Sequence, residues 1–95
     1  MIRTFNDAAT AAIFREERTP DLPPDIQTTA RRKLVQLDLA RQLTDLRVPP
    51  GNRLELLKGN RKGQHSIRIN DQWRICFRWT DQGVEEVEIV DYYQP

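Results

Sequence analysis

The apolar residues of this chain change period once, at RVPPGN (residues 47–52), and that break decides what the sequence can fold into. Upstream of it, LPPDIQTTARRKLVQLDLARQL places Ile26, Ala30, Leu34 and Leu37 at spacings of four, four and three, the apolar stripe of an amphipathic helix. Its prolines stand where a helix start tolerates a missing N–H. Residues 8–18 are mostly good helix formers, Asn6 or Asp7 supplies an N-cap oxygen, and Pro20 stops the element. MIRTF at the start reads as a short strand.

Downstream the period is two. RLELLKG, QHSIRI, WRICFRW and VEEVEIVDYY read as strands joined by NRKG, NDQ and TDQG, turns short enough to force antiparallel neighbours. The expected fold is α+β over residues 1–95 as a single domain: two N-terminal helices packed on one face of a mainly antiparallel, twisted sheet of four to five strands. Alternation sorts the side chains. Trp73, Ile75, Phe77 and Trp79 share a core face with Ile67 and Ile69, while Ser66, Arg68, Asn70, Arg74, Cys76 and Arg78 point the other way.

That second face is where the charge collects. The net charge of +1 conceals a basic middle, with Arg47, Arg53, Lys58, Arg61, Lys62, Arg68, Arg74 and Arg78 against only Glu55 and Asp71. Residues 79–95 are acidic, holding Asp81, Glu85, Glu86, Glu88 and Asp91 with no base. A basic stripe on a near-neutral chain points to a local polyanion site. Arg68, Arg74 and Arg78 are expected on one open face with Lys58 arriving from the neighbouring strand, a repulsive arrangement unless an anion or acidic partner sits among them. For Arg74 a salt bridge to Glu86 or Glu88 is an equal alternative. Arg61 and Lys62 fall in a turn, where solubility or docking is the simpler reading.

Other classes are excluded or demoted. Composition is that of a globular chain, 38% hydrophobic and 31% charged, and no apolar run approaches the roughly 18–20 residues a membrane helix needs. The start lacks a signal-peptide core, so a cytoplasmic location is expected. Cys76 is the sole cysteine, which leaves no internal disulfide and no multi-cysteine metal site, and no cofactor or metal is expected. It reads as a small strand residue, and His65, with the parity of Ile67 and Ile69, as a packed histidine.

PPGNRLELLKGNRKGQHSIRINDQWRICFRW followed by VEIVDYY resembles the HigB branch of the RelE-like toxins of bacterial toxin–antitoxin systems, with a likeness running from about residue 2 to residue 93. The resemblance implies the RelE-like fold and a ribonuclease that cuts messenger RNA in the A site of the ribosome's 30S subunit. It further implies restraint by a HigA-like helix-turn-helix antitoxin, with operator DNA reached only indirectly through that antitoxin. It places Asp91, Tyr92 and Tyr93 in a catalytic C-terminal segment; the charge pattern itself supplies Lys58 and Arg74 as the expected catalytic cations, with Arg68, Arg61, Lys62, Arg78 and Glu55 as expected RNA-binding positions. This chain departs from the family in two places: Tyr93 stands where members commonly have histidine, and Glu55 where some have histidine.

The implied chemistry is self-consistent. Attack by the adjacent 2′-OH needs no metal, but it needs a group to take that proton, a group to protonate the leaving 5′ oxygen, and cations for the crowded negative charge. Lys58 and Arg74 suit the last task and Arg68 a supporting phosphate contact; Glu55 or Asp91 suits the base, and a tyrosine the acid or a stacking platform. With two proton-transfer histidines absent, a weak or inactive homologue that serves as an antitoxin-binding and co-repressor module is the alternative.

Overall fold

A computed structural model describes residues 1–92; Tyr93 lies outside the described residues. Helix α1 (Ala8–Phe14) starts at Asp7, whose side chain accepts the Thr10 N–H at 2.7 Å. It ends four residues earlier than the composition suggests. Glu16 adopts a left-handed conformation (φ 64°), and Glu16 N and Glu17 N donate back to Ile13 O and Ala12 O, which closes the helix in a Schellman arrangement before Pro20 is reached. Helix α2 (Pro24–Leu39) begins on the proline pair and buries Ile26, Ala30, Leu34 and Leu37 as their spacing requires. The same helix also buries Gln27 and Lys33. Short 3-10 turns over Leu43–Arg47 and Pro50–Asn52 carry the chain through the break to the sheet.

The sheet holds β1 (Glu55–Leu56), β2 (His65–Arg68), β3 (Trp73–Thr80) and β4 (Gly83–Asp91) in the order β1-β2-β3-β4, with every neighbouring pair antiparallel. The first strand is far shorter than RLELLKG suggests. Arg53 sits in the left-handed region and Gly59 at φ 65°, so the extended stretch is bent away at both ends. MIRTF does not form a strand of its own, but Ile2 and Phe5 make parallel bridges to Val84 and Val87 along the outer edge of β4.

Ile67, Ile69, Ile75, Phe77, Val84, Val87 and Ile89 from the sheet meet Ile13, Leu22, Ile26, Ala30, Leu34, Leu37 and Leu46 in one core cluster. Trp73 and Trp79 pack at its margin. The second face is covered as well: Ser66 and Cys76 are fully buried, and Leu57, which is not part of the helix-side cluster, is buried too. The loop of residues 57–64 folds back over that face, with Gly63 (φ 88°) so close to Arg78 that a Cβ there would lie 2.6 Å from the Arg78 Nη1. An open sheet face was expected, and the loop makes it a walled one.

Between Cys76 and Arg78 the β3–β4 register shifts, so that Phe77 stands against both Glu86 and Val87. Glu86 absorbs the extra residue with φ 56°. The bulge is what lets Val84 and Val87, three apart, both reach the core.

Two outcomes follow from this packing. Phe77→Ala, at the centre of the cluster, is expected to cost about 3–5 kcal/mol in denaturant unfolding. His65 stacks on Phe77 with ring centroids 6.2 Å apart, and its Nδ1 is buried without a hydrogen-bond partner among the described residues. Burial holds its pKa below the ordinary 6.5. The unfolded chain therefore takes up the proton first, and stability declines as pH falls from 6.5 toward the lowered folded value. Denaturation midpoints between about pH 7 and pH 5 should show a steeper decline for the parent protein than for His65→Gln, since carboxylate titration is common to both.

Candidate active site

Arg74 lies opposite Arg68 on β2 and Val90 on β4, on the walled side of the sheet. Its Nε donates to Ser66 Oγ at 2.8 Å and its Nη2 to the Arg53 carbonyl at 2.7 Å. The guanidinium also stands over the Tyr92 ring, 5.5 Å from the centroid. Neither hydrogen-bond acceptor carries a charge. The salt bridge to Glu86 or Glu88, considered from sequence, is not formed.

Those two carboxylates bind other cations. Glu86 pairs with Arg78, and Glu88 accepts from Arg61 Nη1 at 2.8 Å. Arg61 also donates to Gln64 Oε1 at 3.1 Å. Arg61 is therefore not a peripheral turn charge: the loop brings it across the sheet to β4, and Glu88 holds its guanidinium further into the protonated form. Arg68 pairs with Asp71 at the β2–β3 turn. Lys58 and Lys62 flank the 3-10 turn Gly59–Arg61 and are exposed, and among the described residues the Lys58 ammonium makes no hydrogen bond or ion pair.

The proton-transfer candidates separate by parity. Glu55 is paired with Ser66 and so stands on the side of Arg74, two strands away with β2 between, and exposed. Asp91 is paired with Trp73 and has the parity of Ile89, toward the helices, with Gln72 Nε2 donating to it at 3.0 Å. Tyr92 falls on the side of Arg74, and its backbone N–H donates to Gln72 O at 2.6 Å. The structure thus gathers Arg74, Tyr92 and Glu55 with the Arg61–Glu88 pair on one face, leaves Lys58 exposed at the start of the loop that returns over it, and gives Asp91 the opposite parity. Cys76 lies beneath this group; burial pushes its thiol pKa up, which removes it as a nucleophile at neutral pH.

Sequence reasoning missed the groups that hold Arg74. Ser66 was assigned to the right face but given no task, and a backbone carbonyl such as that of Arg53 leaves no residue-type signal. The arrangement can do three things chemically: bind an anion through the Arg74 guanidinium, stack a ring on Tyr92, and accept a proton at Glu55.

A family model described as the RelE-like toxin of the type II toxin–antitoxin system HigB matches residues 3–94. Toxin HigB-1 of Vibrio cholerae serotype O1 is 43% identical over 82 residues, covering 85% of this chain and 86% of that protein. An uncharacterised protein of Haemophilus influenzae is 32% identical over 66 residues, covering 70% of this chain and 65% of its own length. Among solved structures, the YoeB–YefM complex from Staphylococcus aureus contains a chain that superimposes with a TM-score of 0.60 at 20% identity, covering 99% of this chain and 97% of that one, a likeness of fold. With two helices on a four-stranded antiparallel sheet and a family match that spans nearly every residue, this chain belongs to the HigB-like family of RelE-like toxins of type II toxin–antitoxin systems.

Proposed function

We propose that this toxin is an endoribonuclease that cuts messenger RNA in the ribosomal A site, without a metal ion, by attack of the 2′-OH on the adjacent phosphate. The observation that carries the reading is Arg74, a guanidinium fixed by Ser66 Oγ and the Arg53 carbonyl yet, among the described residues, left without a carboxylate. HigB and RelE-like toxins are generally endoribonucleases, which supports the reaction class. An oriented cation with its charge unspent suits a phosphate that gains negative charge as the 2′ oxygen attacks.

The remaining roles follow from placement. We assign the second cation to Lys58, which is exposed and makes no hydrogen bond or ion pair among the described residues. Glu55 takes the 2′-OH proton, since among the carboxylates of this face Glu86 and Glu88 are already bound to Arg78 and Arg61. The 2′ oxygen then displaces the 5′ oxygen, leaving a 2′,3′-cyclic phosphate on one product. Tyr92, beside Arg74, stacks on a base or delivers the proton to the departing 5′ oxygen. Arg68, Arg61, Lys62 and Arg78 line the approach to phosphates of the message or of ribosomal RNA, with Arg61, Arg68 and Arg78 exchanging their carboxylates for phosphate. A type II toxin has an antitoxin partner; here we assign that partner to a HigA-like helix-turn-helix protein, through which the toxin meets operator DNA. Among the described residues no helix is long and apolar enough to cross a membrane, in keeping with action on cytoplasmic ribosomes.

The test is cleavage of messages on programmed ribosomes with the 5′ ends mapped. The parent protein should cut in the A site in the presence of a chelator that leaves the ribosomes intact. Arg74→Ala should lose at least about a hundredfold in rate, the scale set by removing one donor to a developing oxyanion. Glu55→Gln should lose about a hundredfold or more, as expected for a general base. A folded Arg74→Ala protein that cuts at the parental rate would overturn the site, and absence of any A-site cut by the parent across pH would leave an antitoxin-binding module in its place.

A further inference from the structure

The contact between Arg74 and the Arg53 carbonyl raises the question of what holds a loop carbonyl in position. Arg53 follows the 3-10 turn Pro50–Asn52, is left-handed (φ 47°, ψ 55°), and its N–H is tied to Pro50 O at 3.1 Å. The turn itself is pinned by Asn52, which is fully buried. Its Nδ2 donates to Leu46 O at 3.1 Å, Gln36 Oε1 at 3.3 Å and Val48 O at 3.5 Å, while its backbone N–H donates to Pro49 O at 2.9 Å. The remaining side-chain atom, Oδ1, accepts from the Lys33 ammonium of α2.

Lys33 is an unusual donor. It is 7% exposed, and among the described residues no carboxylate pairs with it. Burial, with Arg32 and Arg68 nearby, pushes its pKa below the usual lysine range. Stability alone gives little reason to keep a lysine there, because an apolar side chain of similar size would avoid the desolvation. What the lysine does supply is a hydrogen bond that fixes the amide plane of Asn52, and with it the path of the chain one residue before the Arg53 carbonyl.

We propose that Asn52, held by Lys33, is a positioning residue for Arg74: the Lys33–Asn52 pair fixes the Pro50–Asn52 turn so that the Arg53 carbonyl holds the Arg74 guanidinium toward the scissile phosphate. The inference rests on the cleavage reading for its functional half. Its structural half, that Arg74 loses its orientation when the pair is broken, stands independently. Ser66 Oγ alone leaves the guanidinium free to swing about its Nε, and a displacement of about 1 Å at a reacting centre costs on the order of a hundredfold in rate. The loss should fall on the chemical step and not on ribosome binding, which depends on the wider basic face.

The experiment uses Asn52→Ala and Lys33→Met, the latter keeping volume while removing the ammonium and so remaining folded where Asn52→Ala fails to fold. Thermal melting establishes folding. Single-turnover cleavage on programmed ribosomes gives the rate and the half-saturating ribosome concentration. The 15N–1H signal of the Arg74 Nη2–H, the group that donates to the Arg53 carbonyl, is assigned by its absence in Arg74→Lys and reports that contact directly. The expected result is a rate lowered about tenfold to a hundredfold with half-saturation unchanged, together with a move of the Nη2–H signal toward the averaged signal of exposed arginines. A signal unchanged in a folded variant overturns the proposal whatever the rate does, and so does a moved signal with full cleavage. A moved signal in a protein whose parent does not cut RNA sinks the cleavage reading and leaves the positioning of Arg74 in place.

Discussion

The site depends on Arg74 being held by oxygens that carry no charge. A carboxylate about 4 Å from a guanidinium in a partly buried setting contributes on the order of 4 kcal/mol of attraction, which an incoming phosphate must replace before it gains anything. Ser66 Oγ and the Arg53 carbonyl give orientation without that competition. The neighbouring arginines illustrate the opposite condition, Arg61 on Glu88, Arg78 on Glu86 and Arg68 on Asp71. Cations that look equivalent in the sequence are thus sorted into those already neutralised and those, Arg74 among them, that have no ion pair among the described residues.

The bulge in β4 reconciles this sorting with the core. In an uninterrupted strand Val84 and Val87, three apart, would point to opposite faces. With Glu86 at φ 56°, the extra residue between them lets both valines reach the core while Glu86 pairs with Arg78 and Glu88 with Arg61. The N-terminal segment repeats the same three-residue step, with Ile2 and Phe5 beside Val84 and Val87. Backbone bonds from Arg3 and Asn6 to Val84 and Val87, and back from those valines to Met1 and Thr4, occupy the outer edge of the acidic strand. The acidic segment therefore acts inward, on the basic middle of its own sheet.

The helix stripe at Ile26, Ala30, Leu34 and Leu37 and the period of two in β2 and β3 were legible because each presents its large apolar side chains to the one core cluster. The end of α1 was not, because Arg15, Glu16, Arg18 and their neighbours are adequate helix formers and the left-handed turn at Glu16 is stabilised by backbone bonds that no residue type announces. The bulge was legible in principle: Val84 and Val87 three apart, then Ile89 two further on, cannot all face one side of a regular strand. Of the site, alternation alone placed Arg68, Arg74 and Ser66 on one face. It had no means of finding that the loop of residues 57–64 returns over that face, since loop paths are set by tertiary contacts such as Arg61 on Glu88 and Gly63 against Arg78. The same blindness hid Asn52 and Lys33, which sequence pattern assigns to a turn and to a helix surface.

The positions of the proton-transfer groups bear on why a site of this kind would work on ribosome-bound RNA. Glu55 is exposed on a two-residue edge strand, and Tyr92 is placed by its contact with Arg74 near the end of β4. The face is rigid at its cationic centre, where Arg74 is bonded on two sides, and open to water where the proton must be taken. Water around Glu55 weakens its electrostatic coupling to a bound phosphate, so the chain by itself offers charge stabilisation but little exclusion of solvent. On the proposed reaction, a partner that holds the message in line over Arg74 and covers the edge at Glu55 supplies both missing elements, and positioning of that sort is worth several powers of ten in rate. A site whose strength is orientation of one cation gains most from a substrate that arrives already oriented.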